Sequence, residues 1–195
     1  MENCLLILSI LPVFLCCKSS NLDDSELNFN PYKKNDVLIF ESNLGERDSL
    51  RIRQVINMKN NAAQMTLNPD KLVTLLVEAD YSEAYLTIDN YFEPVEIHIL
   101  EINKVNKEPA LVQFNLDLSE AVFYPKYNQK IEDVLKQTKY KMKIGGKKYD
   151  DIVIIKPESN EYASREHFIS KIYWSLKYGY VRYDLLNGKK WELVN

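Results

Sequence analysis

From residue 36 onward, apolar and polar positions alternate, or fall in short apolar runs bounded by turn residues. This period-two pattern predicts β-strands. Strands are predicted over 37–40 and 50–55, on either side of a turn at Asn43-Leu44-Gly45. Two more, over 73–79 and 85–88, are separated at Asp80-Tyr81-Ser82. Val95, Ile97 and Ile99 share one face with Glu96 and His98 on the other, and Val112, Phe114, Leu116 and Leu118 form a second such face. Segments 141–144 and 149–155 flank Gly145-Gly146, a pair that accepts the positive φ angles of a tight hairpin. Segments 172–176, 180–186 and 191–194 predict a three-stranded meander with turns at Gly179 and Asn187-Gly188.

One helix interrupts the strands. Ile131, Val134 and Leu135 fall on one helical face, Asn128 is placed to cap it, and Pro125 precedes it, predicting a helix to about residue 139. Residues 159–168 suggest a second short helical turn. The fold expected is mainly β: a single curved antiparallel sheet, an open half-barrel, with one helix. A two-sheet β-sandwich buries the same alternating faces and stays open as the alternative.

The N-terminal pattern is of another kind. Residues 4–15 read CLLILSILPVFL, uncharged and with one proline. A bilayer-crossing helix needs about 20 apolar residues, so this run is short for a span but fits the core of a secretory signal. Cys16-Cys17 closes it, ahead of Lys18-Ser19-Ser20. Together these resemble a bacterial lipoprotein signal, although Met1-Glu2-Asn3 lacks the usual basic residue. The resemblance implies a signal peptide over 1–16 and lipidation of Cys17, which follows the small Cys16 where Cys16 follows bulky Leu15. It also implies a membrane partner through the lipid. Residues 17–35 then read as lipidated cysteine and flexible tether, and 36–195 as a single β-rich domain.

Composition narrows the chemistry. All three cysteines, Cys4, Cys16 and Cys17, lie in or at the signal. The exported part therefore carries no disulfide, cysteine-ligated metal or thiol nucleophile beyond Cys17. A net charge of −3 gives no nucleic-acid footprint. The lysines of 139–143 and Lys147-Lys148 alternate with apolar residues and read as solvated strand faces and turn edges. Of the two histidines, His98 lies on a polar strand face beside Glu96, and His167 follows Ser164 too closely in a loop to form a triad. Phosphate-loop, dinucleotide, zincin and nucleophile-elbow motifs are missing. No cofactor is expected. Asp23-Asp24, Asp117, Glu120, Glu132-Asp133 and Asp150-Asp151 are the candidate carboxylates, with nothing in their spacing to single out a pair. Tyr173, Trp174, Tyr178, Tyr180, Tyr183 and Trp191 suggest cross-strand packing or a binding surface.

Residues 171–193, KIYWSLKYGYVRYDLLNGKKWEL, resemble the endings of uncharacterised lipoproteins from bacteroidete bacteria, as does the YDDIV of 149–153 before them. In those chains a Tyr-rich strand leads to a Gly, an apolar-Arg/Lys-aromatic strand, an Asn/Asp-Gly turn and a W-x-L close. The resemblance implies a curved antiparallel sheet and transfers no catalytic residue. The function expected is that of a lipid-anchored protein of the cell envelope, held at the outer membrane and facing the periplasm or the surface. It would be non-enzymatic and bind a protein or glycan through its sheet face or loops. A carrier holding a lipid in the concavity, and a polysaccharide hydrolase using two carboxylates, are the alternatives.

Overall fold

The computed structural model describes residues 21–61, 71–88, 91–118, 121–127, 129–158 and 164–195. A short helix α1 (Asp24–Leu27) is followed by strands β1 (Val37–Ser42), β2 (Arg47–Asn61), β3 (Lys71–Ile88), β4 (Tyr91–Val105) and β5 (Leu111–Phe114). After β6 (Asp117–Leu118), β7 (Ala121–Val122) and β8 (Gln129–Lys130) comes α2 (Ile131–Leu135). The chain closes with β9 (Tyr140–Ile144), β10 (Lys147–Ile155), β11 (Ile169–Ser175), β12 (Gly179–Leu185) and β13 (Lys190–Leu193).

Eleven strands form one sheet in the order β8-β5-β4-β3-β2-β1-β13-β12-β11-β10-β9, and β6 pairs only with β7. Every pairing within the large sheet is antiparallel. Two meanders, β1 to β5 and β9 to β13, are thus joined where the first strand meets the last. Phe40 faces Leu193 and Ser42 faces Trp191 across that seam. Asn195 extends the seam with its side chain, accepting from the Ile39 amide at 3.0 Å and donating to the Val37 carbonyl at 2.5 Å. The sheet curls into a half-barrel, so the single-sheet expectation holds and the sandwich does not.

Curvature has local causes. Register shifts mark bulges in β2 at Arg53, in β4 at Ile99 and in β12 at Val181, each increasing local twist. The curl carries the β9–β10 turn back over β13: a Cβ on Gly145 would lie 1.9 Å from the Leu193 carbonyl oxygen. That turn is the predicted glycine hairpin, with φ of +54° at Gly145 and +84° at Gly146 and Ile144 opposite Lys147. The Asn187-Gly188 turn differs from a two-residue hairpin. Gly188 alone has positive φ, its amide bonds to Leu185, and the Leu185 amide bonds to Lys189: a four-residue turn ending in a glycine bulge. The predicted break at 80–82 is also corrected, since β3 runs on from Lys71 to Ile88 with a register shift instead of an end.

Two corrections concern the helices. The predicted helix is α2, only five residues long, and its N-cap position is Lys130, whose side chain makes no cap hydrogen bond. Asn128 lies outside the described residues. The segment read as tether up to residue 35 belongs to the fold from Leu22 onward. Asp23 and Glu26 form a reciprocal capping box around α1. Leu22, Phe29 and Tyr32 are buried, and Lys104 binds Glu26 at 2.8 Å. A curved sheet leaves a concavity that its own strands do not fill, and these residues occupy it.

Rings from distant strands meet there. Phe29 stacks on Trp174 at 5.7 Å, and Phe114 and Tyr180 meet Trp174 edge-on at 5.0 and 5.1 Å. The Tyr180 hydroxyl donates to the carbonyl of Ile99 at 2.7 Å, joining β12 to the bulge in β4. Its amide donates to the Tyr32 hydroxyl at 2.8 Å. Gly179, with φ of +80°, makes room for that hydroxyl: a Cβ there would lie 2.1 Å from it. Burial pushes both phenols well above their ordinary range, so both stay neutral. Tyr32→Phe should leave the buried Tyr180 amide unpaired and lower stability by about 1–3 kcal/mol. Urea unfolding measures this, and an unchanged midpoint would refute the role given to the hydroxyl.

Candidate functional site

The outer face of β2, β3 and β4 carries a cluster of ionisable groups. Bulges at Arg53 and Ile99 sit on either side of Glu78, and they bring neighbouring polar positions onto one spot. Glu78 lies opposite Gln54 on one side and His98 on the other. Its Oε2 accepts from Gln54 Nε2 at 2.5 Å and from Arg53 Nη2 at 3.0 Å. The same guanidinium pairs with Glu96, and His98 Nε2 stands 3.7 Å from Glu78 Oε1. The Glu78 side chain is only 8% exposed, while Arg53, Glu96 and His98 reach solvent.

Burial alone would raise the Glu78 pKa, but the hydrogen bonds from Gln54 and Arg53 outweigh it and hold the carboxyl below the ordinary range. Arg53 is pushed up in turn, chiefly by its bond to Glu78. One ligand atom each from Glu78, Glu96 and His98 lies within 4.8 Å of the others, a spacing that would suit a metal ion. The positive charge between these carboxylates is, however, supplied by Arg53. A glycosidase acid needs a raised pKa and a separation that admits substrate or water. Glu78 is shifted the other way and shares a guanidinium with Glu96, which counts against this pair as acid and base.

The remaining candidates scatter. Cys17 and Glu120 lie outside the described residues. His167 and Ser164 are exposed in the loop before β11, and His167 touches the Phe168 ring at 4.5 Å. Asp151 accepts from Ser175 Oγ and from the Lys177 amide, both at 2.9 Å, fastening the β11–β12 turn. Glu132 pairs with Lys136 one helical turn away. Asp23 caps α1, and Asp24, Asp133 and Asp150 are exposed. Of the aromatic set, Tyr173, Trp174, Tyr180, Tyr183 and Trp191 are buried in the core, and Tyr178 packs against it. They are packing groups. Phe29 and Tyr32 add to that filling from the N-terminal segment, and rings so placed within the concavity count against a lipid carrier.

A second surface is open rather than closed by partners. The β9–β10 hairpin borders a groove of about 490 Å³ lined by Lys141, Met142, Lys143, Lys148, Tyr149 and Asp150. β9 is the last strand of the sheet, and Tyr140, Lys141 and Lys143 are exposed along it. Sequence reasoning named these lysines but assigned them no role beyond solvation. It missed Arg53 and Glu78 altogether, since only strand pairing and two bulges unite residues 53, 78, 96 and 98. It also passed over the capping box of α1, whose signal is the D-x-x-E spacing of Asp23 and Glu26.

Comparisons of the chain with protein-family models, with curated proteins and with solved structures gave no match. Among the described residues, no helix is long and apolar enough to cross a membrane. What fold and surface define is a class: a half-barrel β protein with an ion-paired outer face and one lysine-lined edge.

The Glu78 cluster makes a pH prediction. A carboxyl whose folded pKa is depressed contributes stability above its unfolded pKa and loses that contribution as pH falls through the folded value. Glu78→Gln should cost about 1.5–3 kcal/mol at neutral pH, the range for a hydrogen bond to a charged group. The gap from wild type should close as pH drops below the ordinary glutamate value of 4.5. Denaturation midpoints across that range measure it, and a gap independent of pH would refute the assignment.

Proposed function

We propose that this protein is a lipid-anchored component of a bacterial cell envelope, held at the outer membrane through Cys17, whose domain binds a protein or glycan partner without catalysing a reaction. The observation that carries the reading is the open, lysine-lined edge of β9. The Glu78 cluster is closed by its own partners, whereas this edge leaves a strand and a groove accessible. The lipoprotein character rests on the apolar run over 4–15 and the cysteine pair that ends it.

The folded N-terminal segment sharpens the geometry of this reading. Leu22 is already buried, so only residues 18–21 lie between the anchor and the domain. At about 3.5 Å per extended residue, that link holds the domain against the membrane surface instead of on a long stalk. Two acyl chains at about 0.8 kcal/mol per buried methylene give stable retention. Cys17→Ala should abolish incorporation of labelled fatty acid and move the protein out of the membrane fraction. Continued labelling of that variant would overturn the assignment of Cys17 as the acylated residue. Cross-linking in intact cells tests the other half of the reading: a partner joined in stoichiometric yield is expected, and recovery of the uncoupled chain alone would overturn it.

A further inference from the structure

The glycine hairpin dictates which way the β9 backbone points. Ile144 and Lys147 are the closing pair, and Lys143 faces Lys148 while Met142 faces Tyr149. Hydrogen-bonded and non-hydrogen-bonded pairs alternate along an antiparallel ladder. Ile144 and Met142 therefore bond inward to β10, and the main-chain N–H and C=O of Lys143 and Lys141 point away from the sheet. Among the described residues those groups have no further backbone partner, and both side chains are exposed. The opposite end of the sheet is less open: β8 has two residues and runs directly into α2.

Charge selects what such an edge accepts. The ten residues 139–148, KYKMKIGGKK, contain five lysines and no acid, in a chain whose net charge is −3. Lys147 is held back over the Tyr178 ring at 4.2 Å, while Lys141, Lys143 and Lys148 line the groove together with Asp150. A second copy of β9 pairing with this edge would oppose lysine to lysine, which is how edge strands resist self-association. A strand with alternating carboxylates meets no such repulsion. Met142, half-buried between Lys141 and Lys143, offers an apolar contact for the residue between two acids. Tyr149, which also lines the groove, has a buried hydroxyl with no hydrogen-bond partner.

We propose that β9 is a docking edge for an extended acidic segment of a partner protein, added to the sheet as a further strand. Main-chain bonds to Lys141 and Lys143 would supply affinity, and the lysine side chains would supply selection for acidic residues at every second position. The inference rests on the partner-binding reading above and narrows it to a protein with an acidic strand-forming stretch.

The test uses the full-length protein in detergent and a fluorescein-labelled peptide, Thr-Glu-Val-Glu-Val-Glu-Thr. Anisotropy should show saturable binding that weakens with salt, and K141E/K143E should weaken it at least about tenfold. Both lysines are exposed, so the variant is expected to fold, and binding of Thr-Lys-Val-Lys-Val-Lys-Thr to it in place of the acidic peptide checks this. Bound acidic peptide should slow hydrogen exchange at the Lys141 and Lys143 amides, which loose adsorption of charge would not do. Absence of saturable binding, equal affinity in K141E/K143E, or unprotected amides would overturn the proposal. Wild-type cross-linking of an envelope partner by K141E/K143E would also overturn the edge assignment, while leaving the partner-binding reading intact.

Discussion

One tyrosine ties the two halves of the sheet to each other across its inner face. Tyr180, on β12, reaches across the concavity to the carbonyl of Ile99 on β4, and its amide is held by the Tyr32 hydroxyl. A curved sheet creates an inner face whose centre is far from water, so polar groups there must find partners within the protein. The buried Tyr180 hydroxyl finds its partner in the Ile99 carbonyl, which lies at a bulge and also accepts the Asn115 amide. The rings of Phe114 and Trp174 pack against Tyr180 beside that bond. The N-terminal segment is drawn in as part of the same solution, since without Tyr32 the Tyr180 amide would be unpaired.

The bulges that curve the sheet also arrange its outer surface. Displacing Ile99 inward places it beside Leu100, so two successive residues of β4 are buried, while His98 stays outside opposite Glu78. The extra residue Arg53 in β2 then faces the same carboxylate. Val181 does the matching service in β12, setting Arg182 opposite Tyr173. There the guanidinium binds Asp184 at 2.6 Å and Glu192 at 3.2 Å. Inner packing and outer ion pairing thus share one cause. Against these closed clusters, the lysines of β9 stand apart as cations at an open edge.

How much was legible in the sequence depended on the range of the interaction. The Gly145-Gly146 hairpin and the C-terminal meander were readable because turn chemistry and side-chain alternation act between neighbours. Asn187-Gly188 marked its turn correctly, but the loop conformation depended on how β12 and β13 met. Leu22, Phe29 and Tyr32 have no period, and so they looked like a tether until the concavity they fill was known. Glu96 and His98 were visible as a polar strand face. Their coupling to Arg53 and Glu78 was not, because it follows from register shifts between strands that are distant in the chain.

By itself, the sequence determined the mainly β character, the positions of the tight turns and the confinement of every thiol to residues 1–17, including the cysteine pair that ends the apolar run. These are consequences of local sterics, side-chain period and composition. Only the tertiary structure decided that the strands form one half-barrel sheet seamed by its first and last strands, that residues 22–35 close its inner face, and that β9 is left at one of its two edges. Strand order, bulge position and burial arise from contacts between residues far apart in the chain, and alternation along a single strand is the same whichever neighbour it pairs with.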